Sequence, residues 1–311
     1  MPEINKILSV QAPAKVNLHL AVGDRRPDGF HNIESVFLAV DFGDTLYFER
    51  ISPANSVEIV MDRKNSPSLA DSGLSMEKNI IFRALSLFRA KTGFDTGLKI
   101  SVEKRIPIGG GLGGGSSDAA AALLALNKLA GQPLSRETLL EMGASLGSDV
   151  PFFVSETGCA WVSGRGECIR PIQTPRCFLT LVNPGFPSDT AAAFRLLDEY
   201  REKGSGETRS CTLEEERVID FSQAAVLPQE PSEWPFFNDF LPVFNEPEKS
   251  AYQKIIFSLK ELGAGFSGLS GSGSTCFGVF KEKAAAQEAA AKLRASWNFV
   301  ECCSPRDRQS L

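Results

Sequence analysis

The stretch IPIGGGLGGGSSDAAAALLALNKLAG, residues 106–131, places six glycines in the seven positions 109–115 and then turns to alanine and leucine. Glycine loses more backbone freedom on folding than any other residue, so this density needs a use. Four uses compete. A plain strand-to-helix turn needs only one or two glycines. Gly109, Gly111 and Gly114 match the spacing of a dinucleotide fingerprint. That motif, however, requires a further strand with an acidic residue about twenty positions on, and here Gly131-Gln132-Pro133 leads into a second helical pattern. Gly109 and Gly114 have Walker A spacing, but Gly115 stands where the lysine is required. The fourth use is a run of bare main-chain amides ahead of a helix, which makes an anion-binding hollow at the positive end of the helix dipole. This last reading points to a nucleotide's phosphates. Its contact set is Pro107, Ile108, Gly109, Gly110, Gly111, Leu112, Gly113, Gly114, Gly115, Ser116 and Ser117.

Outward from the glycines the pattern is legible on both sides. GLKISVEKRIPI reads as a strand entering the loop. Ser116, Ser117 and Asp118 are expected to cap the following helix, with Ala119, Ala122, Leu123, Leu126 and Leu129 as its apolar face and Gly131 and Pro133 as its end. Upstream, Val16, Leu18, Leu20 and Val22 alternate as a strand, and Pro27-Asp28-Gly29 marks a turn. Ile80, Ile81, Ala84, Leu85 and Phe88 recur at helical spacing up to Gly93. Downstream, SRETLLEMGASLG, NEPEKSAYQKIIFSLKELGA (245–264) and KEKAAAQEAAAKLRASW (281–297) read as helices, and Cys276–Phe280 as a strand behind a second Gly/Ser loop. Residues 200–235 are polar with weak periodicity and read as an insertion. The tail CCSPRDRQSL reads as frayed.

Bulk properties bound the function. The chain has 311 residues, 42% apolar and 23% charged, with a net charge of −5. That is enough for two domains, and it argues against nucleic acid as a partner, which would need a basic face. No run is apolar and long enough to span a bilayer. Seven cysteines without a C-x-x-C pair, and only two histidines, fit a reducing cytoplasm better than a disulfide or zinc scaffold.

Two charged residues interrupt apolar surroundings. Lys15 breaks an alternating strand, and Asp149 stands between a glycine-ended helix and VPFFV. Such positions are unfavourable for charges unless they are paired or working. On the residues alone, Lys15 can equally be a lysine whose head reaches the surface, and Asp149 a loop carboxylate capping nearby amides.

PIGGGLGGGSSDAAA resembles the phosphate-binding signature of the GHMP kinases. Further segments similar to one branch of that family run, in order, APAKVNLHLAVGDRRPDGFHNIESVF (12–37), GSDVPFF (147–153), GRGE (164–167), NDFLPVF (238–244) and LSGSGSTCFGVF (269–280). The resemblance implies an α+β fold of two domains, 1–155 binding nucleotide and 156–311 binding the acceptor, with mixed sheets and helices packed on one side. It implies ATP and Mg2+ as cofactors, with Ser117 the candidate magnesium contact, and it makes Lys15 and Asp149 the catalytic pair. The N-terminal segment is similar to a branch of the family whose small-molecule acceptor is a cytidine diphosphate derivative on the non-mevalonate route to isoprenoids. Homoserine or mevalonate-type kinases, and a non-catalytic sensor on the same fold, are the alternatives. For the cytidine branch the substrate-binding set is Asn17, Phe30, His31, Phe194, Gly271, Ser272 and Gly273, with Phe186 as the other choice of second aromatic and Arg25 and Arg26 near the diphosphate. Two departures stand out: Phe30 replaces the family's tyrosine, and Gly110 replaces its alanine. The enzyme is expected in the cytoplasm, as a monomer or homodimer.

Overall fold

The computed structural model describes residues 7–62, 76–203, 227 and 230–306. The chain divides into two compact units. The first holds the residues up to Ala14, Gly43–Pro107 and Gly113–Glu156; the second holds Lys15–Phe42, Ile108–Leu112 and everything from Thr157 onward. The last division falls one residue after the 155/156 boundary, while Lys15–Phe42 and Ile108–Leu112 go with the second unit. Two long strands, β1 (Leu8–Arg25) and β2 (His31–Ile51), each contribute to both units.

In the first unit β3 (Val57–Asp62) and β4 (Gly97–Glu103) pair in parallel, and β4 pairs antiparallel with β2, from Thr45 opposite Glu103 to Ile51 opposite Gly97. The result is a mixed sheet. Four helices accompany it: α1 (Ile80–Thr92), α2 (Gly114–Leu129), α3 (Arg136–Leu146) and α4 (Val150–Ser155). α2 packs against the other three. Asn79 caps α1 by accepting from the Ile81 N–H, and Gly93, at φ 72°, closes it in the left-handed conformation that glycine adopts without strain.

α2 starts earlier than the sequence suggests. Gly113, at φ 70°, is its N-cap, no side chain caps it, and Gly114 and Gly115 are its first residues. The expected cap of Ser116, Ser117 and Asp118 is therefore corrected. All three lie inside the helix, and the first-turn amides face outward bare.

In the second unit β2 pairs with β5 (Cys159–Gly164), and β5 with β6 (Cys168–Pro171), both antiparallel. A separate four-stranded antiparallel sheet runs β10 (Phe299–Cys303), β7 (Phe178–Asn183), β9 (Cys276–Phe280), β8 (Phe266–Leu269). α5 (Thr190–Glu202), α6 (Glu248–Glu261) and α7 (Lys283–Leu293) complete the unit, with α6 lying on β8 and β9 and α7 on β7, β9 and β10. Leu20, Val182, Leu197, Phe240, Tyr252, Ile255, Leu259 and Phe280 lie in its core. The tail is not frayed as far as Arg306: Cys302 and Cys303 end β10, Ser304 donates its N–H and hydroxyl to Asp41 (2.8 and 2.6 Å), and the Arg306 N–H donates to Ala39 O. Most of the 200–235 insertion lies outside the described residues. Among the described residues no helix is long and apolar enough to cross a membrane.

Candidate active site

In the first unit the front of α2 is an anion site in the making. The first helical bond runs from the Ser117 N–H to Gly113 O (2.9 Å), which leaves the amides of Gly114, Gly115 and Ser116 without intrahelical acceptors. A Cβ on Gly114 would sit 2.9 Å from Ile106 Cγ2, so the segment between β4 and the loop favours glycine there. The Ser117 hydroxyl is fully buried with no hydrogen-bond partner. A buried orphan hydroxyl beside bare amides suits a phosphate oxygen, through its hydrogen, or a phosphate-bound cation, through its oxygen lone pair.

Beneath it lies a charge cluster that sequence reasoning missed. Lys104 bonds Asp118 Oδ2 (2.8 Å) and Asp44, and all three side chains are at most 5% exposed. Asp44 also accepts the N–H groups of Arg105 (2.6 Å) and Ile106 (2.9 Å). The cluster thus ties the entry to the glycine loop to the helix that leaves it. Burial pushes the Asp118 carboxyl up to about 7, with Lys104 opposing and Asp44 adding to the rise. The available signal was a lysine ending an apolar strand and an aspartate in DFGDT.

Asp149 is the N-cap residue of α4 and makes no side-chain cap bond to that helix. It is half-buried. The turn that carries it lies near α2: a Cβ on Gly147 would be 3.9 Å from Ser116 Oγ.

In the second unit four successive loop carbonyls are tied down. Gly109 O accepts from the Ser188 N–H (2.8 Å), Gly110 O from the Thr275 N–H (3.0 Å), Gly111 O from Ser270 Oγ (2.9 Å) and Leu112 O from the Lys15 N–H (3.0 Å). Because the peptide is planar and trans, each fixed carbonyl turns the next N–H the other way. The amides of Gly110, Gly111 and Leu112 therefore point away from those partners. Gly109 and Gly111 have positive φ (66° and 75°), and a Cβ on Gly111 would lie 2.1 Å from Ser270 O. That glycine is required by the second loop's own backbone rather than by a ligand, which extends the sequence argument. Leu112 is buried, and Ile108 is 45% exposed.

Lys15 is buried, with its ammonium 2.5 Å from Asn17 Oδ1 and 4.5 Å from the centre of the Phe37 ring. Asn17 is committed at both ends of its amide, since Nδ2 donates to Ser35 Oγ (2.9 Å). Gly271 lies over it, where a Cβ would come 3.5 Å from Asn17 Oδ1. Ser272 is held by Ser188, whose hydroxyl donates to its carbonyl (2.6 Å), and by Thr190 (3.0 Å). Gly273 takes φ 93° against Tyr252.

Phe30 is 51% exposed on its turn, with the Arg165 guanidinium 4.8 Å from its ring centre. His31 is buried, its Nε2 is 2.9 Å from Asp198 Oδ1, and its ring stacks on Phe194 at 5.0 Å and 19°. Phe194 also meets Phe240 edge-on at 4.9 Å and packs on the core. Phe186 packs there as well, against Tyr252. Arg26 is engaged by Asp28 (3.0 Å) and Asn32 (2.9 Å), while Arg25 is exposed. Asp198 was not foreseen, although its i+4 spacing from Phe194 on α5 puts both on one helix face.

The other histidine is a core residue. His19 sits among Trp161, Phe236 and Phe237, and its Nδ1 accepts the Phe237 N–H. Burial lowers its pKa to about 4 from 6.5. Between those values the unfolded chain binds the extra proton and the folded one does not, so stability falls as pH drops through that window. The expected loss through His19 is on the order of 3 kcal/mol by pH 4. His19→Gln, which can still accept the Phe237 N–H, should flatten that acid limb; urea titrations at several pH values check it.

Residues 79–157 match the GHMP kinases N terminal domain, and residues 237–298 match the GHMP kinases C terminal region. With a glycine cradle at a helix front and relatives matching nearly its whole length, the chain belongs to the GHMP kinase family. It is 37% identical over 282 residues to the 4-diphosphocytidyl-2-C-methyl-D-erythritol kinase of Xanthomonas axonopodis pv. citri (strain 306), covering 91% of this chain and 85% of that one. It is 36% identical over 293 residues to the enzyme of the same name from Burkholderia mallei (strain SAVP1), covering 92% and 90%. A crystal structure of 4-(cytidine 5'-diphospho)-2C-methyl-D-erythritol kinase superposes with a TM-score of 0.72 at 29% identity, over 96% of this chain and 100% of that one. The homoserine kinase of Cytophaga hutchinsonii ATCC 33406 superposes at 0.70 with 16% identity, over 99% and 98%, a likeness of fold.

Proposed function

We propose that this kinase transfers the γ-phosphoryl group of ATP to the 2-hydroxyl of 4-diphosphocytidyl-2-C-methyl-D-erythritol, a step toward isoprenoid precursors. The observation that carries the substrate is the 37% identity across 91% of the chain to a kinase named for that compound. In the reaction the acceptor oxygen bonds to the γ-phosphorus, the bond from that phosphorus to the β–γ bridging oxygen breaks, and ADP leaves. Little covalent chemistry falls to the protein, so its residues position the reactants and stabilise charge.

In this reading Asp149 orients the acceptor hydroxyl and takes its proton. Lys15, steadied by Asn17, neutralises charge on the transferring group. The amides of Gly110–Leu112 and the front of α2 receive phosphate oxygens. The orphaned Ser117 hydroxyl suits Mg2+, which when bound would neutralise phosphate charge. Phe30 offers its exposed face to cytosine and His31 its polar edge. Phe194, whose own face is occupied by His31, backs that histidine rather than stacking the base. Gly271, Ser272 and Gly273 form the second main-chain loop at the acceptor. The enzyme works in the cytoplasm, as a monomer or homodimer.

An ADP-release assay tests the reading. ADP should appear with the cytidyl substrate and not with homoserine or mevalonate, and CMP should compete with the substrate. Turnover of homoserine without turnover of the cytidyl compound would overturn it.

A further inference from the structure

The proposed reading leaves one acidic residue without a part. Asp198, on α5, points a carboxylate oxygen at Nε2 of His31 at 2.9 Å, with the histidine side chain 5% and the aspartate 28% exposed. Four residues earlier on the same helix, Phe194 stacks flat on the imidazole. The ring is thus fixed in its plane by one neighbour and on its face by the other. A carboxylate has no hydrogen to give, so the hydrogen in this bond is on Nε2. In a neutral imidazole the other nitrogen then carries only a lone pair.

We propose that Asp198 is a specificity-determining residue: by keeping the hydrogen on Nε2 it leaves Nδ1 of His31 as an acceptor, which suits the exocyclic amino group of cytosine and rejects the carbonyl oxygen that uracil carries at the same ring position. This rests on the reading that His31 meets the base. Two like lone pairs cannot hydrogen-bond, and a polar group left unmatched in a partly dry site is penalised far more than a matched one is rewarded. Asp198 need not touch the substrate, because it acts through His31.

The test compares binding of CMP and UMP to the full-length enzyme and three variants. Wild type should prefer CMP. In Asp198→Asn the carboxamide can donate to Nε2, which moves the imidazole hydrogen to Nδ1; the CMP:UMP affinity ratio should fall by about tenfold or more. KM for the cytidyl substrate should rise while kcat at saturation and KM for ATP change little, a split that general loss of structure would not produce. Asp198→Ala, which leaves the tautomer free, should lie between. An unchanged ratio in Asp198→Asn, with the preference lost in His31→Ala, overturns the role of Asp198 and leaves the base site standing. An unchanged CMP affinity in His31→Ala overturns the base site and this inference together. Independently of any variant, 15N NMR of the wild-type imidazole should find the hydrogen on Nε2 alone; finding it on Nδ1 overturns the inference.

Discussion

Asp149→Asn is expected to bind ATP with near-normal affinity and to turn over about 10²- to 10⁴-fold more slowly, the range a positioned acid–base group supplies. Asparagine keeps the size and one acceptor oxygen but cannot take a proton. Asp149 makes no side-chain cap bond to α4, so the start of that helix should not depend on its carboxylate. The informative measurement is single-turnover kinetics with saturating ATP, alongside a nucleotide titration. Turnover within tenfold of wild type would remove Asp149 from the chemistry. Loss of both nucleotide binding and turnover would make it a structural residue of the phosphate site.

Lys104→Met should strongly destabilise the first unit. It strips the cation from between Asp44 and Asp118, which are buried with it. Breaking a buried ion pair by removing one partner costs about 3–5 kcal/mol, because the remaining charge has neither water nor a counter-ion. The pH dependence follows from Asp118. Its carboxyl lies near 7 in the folded chain against an ordinary 3.8, raised chiefly by burial. Between those values the folded state holds the extra proton, so this group's contribution weakens as pH rises through the window. Without the opposing ammonium the carboxyl rises further, and the deficit of Lys104→Met should be larger at pH 8 than at pH 5. Urea unfolding at both values checks this. A deficit below about 1 kcal/mol at pH 8, no more than an exposed pair contributes, would show that the two carboxylates do not depend on Lys104 as their counter-ion.

The sequence carried the local rules well. Alternation gave β1, Gly93 gave the end of α1, and Cys276–Phe280 is a strand residue for residue. The start of α2 escaped because serines usually cap by side chain, whereas Gly113 needs only a left-handed backbone. Lys104 and Asp198 escaped for another reason. Their partners are Asp44, 60 residues away, and His31, 167 residues away, and no period in a single chain announces a pairing at that distance. Phe194 shows the reverse case. Its spacing of three from both Ala191 and Leu197 puts it on an apolar helix face, the place of a core side chain, and the stack on His31 is what gives it a further part.

The four pinned carbonyls of Gly109 to Leu112 mean that a segment rich in the most pliable residue is nonetheless held in one shape before any guest arrives. Ordering a residue's backbone costs about 1–2 kcal/mol, and here that entropy is spent during folding rather than at capture. Ser188, Ser270 and Thr275 are therefore remote stays: where the segment receives the nucleotide as proposed, loosening one of them should weaken that hold although none need touch it, and ADP should depart without the segment having to unravel first.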